Sequence, residues 1–462
     1  MNINHSMLIR GGKLVGEGVD GCVHGPPLFS CNLDKYMNKK HVSKLQFHNI
    51  YSNNEQRASS LIKYNYEEYS YNKHFSIILK KCIKNLNEIN NLSLFDKENC
   101  TFFQDFEKQN DYNNKSDLLF SIAIYKYIPG YTLKEFFNYN KTILLYENNT
   151  FLYFKQTIIN FFYLQKSIYK IYKINLVHND LHYNNIMINT NNHNLPIIID
   201  FGRSFNINFK DETSYHNFFS YFNKFRFKPE RTHDSFSVRF IHYILKYKSF
   251  LQLYYYTSYN NTPNFLNKTY IDKFIATIIA YDFEYYQYIS NNKFDFHKIR
   301  IMYTQFLQDF LYKFSNINSF PLIDDVVHHI YSNDILYNID SYSVIFNFLD
   351  YLLTNYNNIS TIHDIKIFND IFIKYLFVNI NPIYTKKFLY KNHFNFFKYI
   401  YNFFNSEKFN KKQSYIYFKE TMINYFKKYN VDIYFFIEND ILKSLYDSKT
   451  DFIHVFNSLL SP

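Results

Sequence analysis

Tryptophan is absent from the 462 residues, and glycine (8), proline (9) and cysteine (4) are scarce. The cysteines Cys22, Cys31, Cys82 and Cys100 form no C-x-x-C pair, which excludes a disulfide-built scaffold and argues against a thiolate zinc site. A reducing compartment is the expected home. No uninterrupted apolar stretch of about 18 residues occurs, and the opening ten residues hold no apolar run of the kind a secretion signal needs. The expectation is therefore a soluble, non-secreted, cytoplasmic chain without membrane insertion.

What is present is skewed in one direction. Tyrosine (48) and phenylalanine (52) are abundant, and Asn, Ile and Lys are enriched. These residues have A/T-rich codons and the scarce ones G/C-rich codons, so mutational bias accounts for the composition. Single-strand nucleic-acid binders place aromatics on one basic face, whereas here they run along the whole chain. The net charge of +11 is mild for this length, and no nucleic-acid partner is expected. A hydrophobic content of 47% supports a sizeable core and argues against disorder. The length allows roughly two or three folding units.

Short β-type runs punctuated by glycine come first: Lys13-Leu14-Val15, Cys22-Val23-His24 and His41 to Leu45. A helical stretch is expected over 55–82, then a polar insertion loop from Asn85 to about Asp117. Ser121 to Tyr127 reads as a strand ended by Pro129-Gly130, and Phe154, Ile158, Phe161, Leu164 and Ile168 recur at helical spacing. Two short strands follow, Ile186 to Ile188 and Ile197 to Ile199, and beyond about residue 235 the chain reads as helical without glycine. The expected class is α+β.

Gly16-Glu17-Gly18-Val19-Asp20-Gly21-Cys22-Val23 fits G-x-G-x-x-G-x-V between two strands. Such a hairpin can offer backbone N–H groups to a polyphosphate. A dinucleotide fold would need a helix directly after the glycines, which Pro26-Pro27 forbids. Further along stand His178-Asn179-Asp180-Leu181-His182-Tyr183-Asn184-Asn185 and then Ile199-Asp200-Phe201-Gly202. Each element alone is weak; three in this order form a constellation.

On these motifs residues 8–240 resemble the eukaryotic-type protein kinase family, whose set is a Gly-rich loop, a strand lysine, H-R-D-L-x-x-x-N and D-F-G. More narrowly, "GEGVDGCVHGPPLFSC", "HVSKL" and "HNDLHYNNI" are similar to the divergent serine/threonine kinases of large cytoplasmic DNA viruses. The resemblance implies a bilobal fold, with an N-terminal part over 1–127 carrying an insertion at 85–117, a helical body over 128–345 and a helical extension over 346–462. It implies ATP and Mg2+ as cofactors, a protein substrate, and the host cytoplasm or virion as location. Lys44 matches the phosphate-holding strand lysine, with Val42 where alanine is usual, and Glu68 is its expected helix partner, with Glu67 as the fallback. Asp180 would orient the substrate hydroxyl, and Asn185 and Asp200 would bind Mg2+. Residues 16–21 would cover the phosphates, Tyr125, Lys126, Tyr127 and Ile128 would form the adenine hinge, and Val23 and Met187 would sandwich the base. Lys228-Pro229-Glu230 stands for A-P-E and Asp234-Ser235-Phe236-Ser237 for D-x-W-S, closer together than is usual in the family.

Asn179 replaces the arginine that pairs with a phosphorylated activation loop in many members, implying activity independent of that phosphorylation. Two other readings compete. H-x-D-L-H-x-x-N also occurs in aminoglycoside- and choline-kinase-like enzymes, and a catalytically dead scaffold would keep a binding pocket only. A third, that the helical region from about 345 is an interaction module, rests on Ile345, Phe348, Leu349, Leu352 and Leu353, a stripe more typical of a core. His182 stands where the family has a lysine touching the transferring phosphate, and an imidazole ordinarily loses its charge near pH 6.5. Turnover is therefore expected to fall as pH rises from about 6 to 8, and His182→Lys to flatten the profile. Equally flat profiles in both proteins would remove the role given to His182.

Overall fold

The computed structural model describes residues 13–18, 21–28, 39–91, 99–108, 118–143, 147–207, 215–216, 218–220, 234–255, 268–284, 301, 304–305, 307–308, 311–312, 323–332, 338–355 and 376. They form a mixed α+β protein that divides into two compact units, residues 1–132 with 184–205, and 133–183 with 206–462.

The first unit is built on a five-stranded antiparallel sheet in the order β1-β2-β3-β5-β4. Its strands are β1 (Lys13–Gly18), β2 (Gly21–Gly25), β3 (His41–Phe47), β4 (Lys80–Asn85) and β5 (Leu119–Lys126). Gly21 is required where β2 crosses β3, because a Cβ there would lie 2.2 Å from the Leu45 carbonyl oxygen. Side chains alternate between the two faces of the sheet. One face carries Val42 with Ala123 and Tyr125, joined by Ile78. The other carries Cys22, Leu45, Phe120 and Ile122.

A helix follows β3, α1 (Ile50–Asn65), started by the Asn49 side chain accepting from the Tyr51 and Ser52 amides. It ends well before the expected 82, since Lys80–Asn85 is strand β4. A single turn, α2 (Glu68–Tyr71), lies between them. The expected insertion loop contains α3 (Leu86–Asn90) and α4 (Thr101–Lys108). Phe103 and Phe106 of α4, with Ile89 of α3, pack on the second face of the sheet, and the Phe47 ring lies 4.9 Å from Phe102 and 5.4 Å from Phe106. Burying each such ring contributes about 1.5–3 kcal/mol, so the insert completes the core of this unit. A disulfide joins Cys22 to Cys100, and Cys82 is disulfide-bonded as well. The cysteines therefore give no support to the expected reducing compartment: pairing depends on which residues the fold brings together, which C-x-x-C spacing does not register.

A second, three-stranded sheet completes the unit, with β6 (Gly130–Thr132) and β9 (Leu195–Ile198) flanking β8 (Ile186–Asn189). Gly130, at φ +147°, lets β6 close on the Ile188 carbonyl, which a Cβ would meet at 1.9 Å.

The second unit contains α5 (Leu133–Ile143), α6 (Glu147–Lys173), the short strand β7 (Leu176–Val177), α7 (Phe236–Tyr255), α8 (Lys268–Ile279), α9 (Ile323–Ser332) and α10 (Ile339–Thr354). Phe161, Leu164, Ile168 and Ile171 give α6 its buried stripe. Nearly every residue of α10 is buried, the pattern of a helix at the centre of a core. Phe348 meets Phe161 edge-on at 4.7 Å, and Tyr351 stacks on Phe137 at 4.0 Å. Ile345, Phe348, Leu349, Leu352 and Leu353 are thus core residues. Helix α10 runs across the expected boundary at 345/346. Residues 356–375, 377–462 and the Lys228–Glu230 motif lie outside the described residues.

Arg239 of α7 and Asp282, after α8, are 1% and 2% exposed and meet in a two-pronged pair at 2.8 and 2.7 Å, with the Tyr342 hydroxyl of α10 at 3.1 Å from the guanidinium. Removing the cation strands a buried carboxylate. Arg239→Met is expected to lose about 3–5 kcal/mol of stability, read as a lower denaturant midpoint; an unchanged midpoint would contradict the burial of this pair.

Candidate active site

In the first unit the chemistry gathers at Lys44. Its neighbours along β3 on the same face are Val42 and Gln46. The Lys44 Nζ lies 3.5 Å from Glu55 Oε2 and 3.0 Å from Asp200 Oδ2. Glu55 belongs to α1, where Ser52, Glu55, Ala58, Ser59 and Ile62 form the buried stripe. The same Oε2 accepts from Gln46 Nε2 at 3.0 Å. Glu55 is only 2% exposed, so both contacts offset the cost of burying its charge.

The expected partners Glu67 and Glu68 do not reach Lys44. Glu68 sits in α2 and faces its own Asn72. Capping at Asn49 starts α1 early and places Glu55 on the inward stripe. A carboxylate among small residues at helical spacing was the signal in the sequence, and it was missed. Lys81 of β4 steadies the first turn of α1, donating to the Ser52 carbonyl at 2.9 Å and to Asn53 Oδ1 at 3.2 Å.

Asp200 follows β9 and adopts a left-handed backbone, φ 59° and ψ 75°, with Oδ1 accepting from the Gly202 amide at 3.3 Å. A non-glycine residue in that region carries strain. The turn Phe201–Arg203 packs against α1, and Asn54 Nδ2 donates to the Gly202 carbonyl at 3.3 Å. Asn185 is buried at the start of β8, its carbonyl accepting from the Ile199 amide at 3.0 Å. Asp200, Asn185 and Lys44 are thus placed by the same unit.

The remaining expected binding residues divide. Val23 is half-buried and pairs with Lys44 across β2 and β3, and Met187 is half-buried on β8. Val19 and Asp20 lie outside the described residues. Glu17 turns its carboxylate toward α4, accepting from Thr101 Oγ1 at 2.6 Å. Tyr125 points inward, and burial pushes its phenol well above its ordinary value, with the Glu55 and Asp200 carboxylates adding to the shift. The Tyr127 amide is taken by the Lys40 carbonyl at 2.8 Å. Of the expected hinge backbone, the Tyr127 N–H is therefore already engaged.

In the second unit helix α10 holds the segment from His178 to Tyr183. Both oxygens of the fully buried Asp340 carboxylate accept from the loop, Oδ2 from the His178 amide at 2.7 Å and Oδ1 from the Asn179 amide at 2.8 Å. Burial raises the Asp340 pKa, and His178 and the two amides pull against it. One helical stripe further on, Asn347 Nδ2 donates to the Leu181 carbonyl at 2.8 Å, and Asp350 bonds the Tyr183 hydroxyl. Asp180 stands in this segment, with His182 Nε2 at 3.9 Å from its Oδ2.

The sequence contains two similar tetrapeptides, Asp234-Ser235-Phe236-Ser237 and Asp340-Ser341-Tyr342-Ser343. The second carries the contacts to the His178 and Asn179 amides. Asp234 opens α7, where the Ser235 hydroxyl accepts from the Val238 amide at 3.4 Å.

Among the described residues the one set of three side chains spaced like metal ligands is Glu17, Cys22 and Cys100, but its sulfurs are bonded to each other. No protein-family model and no curated protein matches this chain.

Asp350 is pushed up to about 7 by burial. A carboxyl whose folded pKa is raised binds a proton in the folded state that the unfolded chain has released. Stability therefore falls as pH rises from about 4 to about 7, by a maximum on the order of 4 kcal/mol. Asp350→Asn should flatten that slope and raise the melting temperature at pH 8, and an unaltered slope would refute this titration.

Proposed function

We propose that the chain transfers the γ-phosphoryl group of ATP, with Mg2+, to Ser or Thr hydroxyls of a protein substrate, on a protein-kinase-like fold. The observation that carries the reading is the junction at Lys44, where a strand lysine, a buried helix glutamate and the Asp200 of D-F-G meet at 3.5 and 3.0 Å. Asp200 comes from a part of the chain far from Lys44 and Glu55, and the resemblance gives Lys44 and Asp200 complementary roles.

The chemistry divides among the residues. Glu55, itself held by Gln46, positions the Lys44 ammonium, which would meet phosphate oxygens. Asp200 and Asn185 offer oxygen donors of the hard kind that Mg2+ takes. When bound, ATP supplies the phosphoryl group and Mg2+ neutralises its charge. The hairpin glycines would cover the phosphates with backbone N–H groups, Val23 and Met187 would flank the base, and Lys126 and Ile128 would offer backbone partners to it. Asp180 would orient the substrate hydroxyl and hold its proton at a carboxylate oxygen, in a loop already fixed by Asp340, so that little reorganisation accompanies transfer. His182 would face the transferring group with a titratable charge.

A transfer assay with radiolabelled ATP and Mg2+ tests this on a generic protein substrate and on a panel of small alcohols and aminoglycosides. Label should pass to protein and fall by about 100-fold or more in Asp180→Ala and Asp200→Ala. Glu55→Gln should also lower the rate, while Glu68→Gln should leave it unchanged. Label only on small molecules would transfer the protein to the aminoglycoside- and choline-kinase-like class, and ATP binding without any transfer would make it a scaffold.

A further inference from the structure

The insert between β4 and β5 grips the glycine-rich hairpin on both of its strands. On β2, Cys22 is bonded to Cys100, the residue immediately before α4, and both are fully buried. Directly opposite Cys22 on β1 stands Glu17, which therefore faces the same way. Its carboxylate accepts from Thr101 Oγ1 at 2.6 Å and from the Phe102 amide at 2.8 Å. Slight burial pulls the Glu17 carboxyl up, but these donors outweigh it and leave the group below its ordinary value. The helix that does the gripping is itself anchored, through Phe103 and Phe106, to the core beneath β3 and β5.

The hairpin needs such support. Strand β1 is the outer strand of the sheet and is exposed along most of its length. Gly16, Gly18 and Gly21 add conformational freedom in the segment that would cover the phosphates. Within the sheet β1 is laddered on one side only, to β2, whereas β2 is also paired to β3.

We propose that the Cys22–Cys100 disulfide is a redox-reversible clamp that holds the glycine-rich hairpin in its nucleotide-covering form, so that reduction by a dithiol weakens nucleotide binding without unfolding the protein. The nucleotide half of this rests on the function proposed above. In the reaction one thiolate of the dithiol attacks a sulfur of the pair, forming a mixed disulfide and releasing the other cysteine as a thiolate that takes up a proton. The second thiol of the reductant, on losing its proton, then displaces the remaining cysteine. The dithiol leaves as its own disulfide, and two electrons have passed to Cys22 and Cys100. Because both sulfurs are buried, attack follows opening of the first turn of α4 and is slower than at an exposed disulfide. The Glu17 contacts survive reduction, so the hairpin loosens rather than detaches.

Hydrogen exchange on the full chain, paired with titration of MgATP, tests the clamp. The proteins compared are the oxidised one, the same protein treated with dithiothreitol, and the Cys22→Ala/Cys100→Ala variant, which leaves the disulfide at Cys82 in place. Amides of residues 13–25 should exchange about 10-fold faster once the bond is gone, with α6 and α10 unchanged, and the Kd for MgATP should rise about 5-fold or more. Glu17→Ala, which keeps the disulfide, should give smaller changes in the same direction. Unchanged exchange in the hairpin, acceleration spread equally over the whole molecule, or free thiols at both positions in protein purified without reductant would overturn the clamp. If the oxidised protein binds no MgATP, the nucleotide half falls together with the proposed function, while faster hairpin exchange on reduction would still establish the clamp itself.

Discussion

A buried carboxylate has few ways of being satisfied, and Asp340 shows how strongly that constrains a fold. Its two oxygens are spent on the amides of His178 and Asn179. Leaving either amide or the charge without a partner in that interior would cost several kcal/mol. The helix that carries Asp340 is buried on nearly all sides and stacks its rings on α5 and α6. The loop bearing Asp180 is therefore fastened to a helix buried along nearly its whole length. Asn347 and Asp350, on the same stripe of the helix, extend the attachment to Leu181 and Tyr183. The same logic of a charge kept buried only by its partners operates at Arg239 and Asp282.

The first unit obeys a different constraint, the alternation of side chains across a sheet. Because successive residues point to opposite faces, β3 can send Lys44 and Gln46 toward α1 while Leu45 and Phe47 go to the other side. The first face carries the charged network. The second is a hydrophobic surface that a bare sheet would leave to water, and the insert between β4 and β5 covers it with α3 and α4. Covering that face also brings α4 against the hairpin, so packing of the sheet and attachment of the glycine-rich segment have one structural origin.

Residue type, order and spacing determined a good deal. The strands β1, β2, β3, β5, β8 and β9, the long helix α6 and the α+β class follow from periodicity and glycine punctuation, which are local properties of the backbone. Lys44, Asp180, Asn185 and Asp200 stand out in the same way, since each lies in a short motif whose chemistry depends on its immediate neighbours. What only the tertiary structure decided are the long-range choices. Glu55 rather than Glu68 meets Lys44 because a cap at Asn49 sets where α1 begins and which of its faces turns inward. Asp340 accepts from the His178 and Asn179 amides, although a near-identical tetrapeptide begins at Asp234, because the helix that carries Asp340 packs beside α6. Cys22 meets Cys100 across 78 residues because an insert with no readable period folds back as a helix on the sheet. In each case candidates with the same local chemistry compete, and burial, which depends on the whole chain, selects among them.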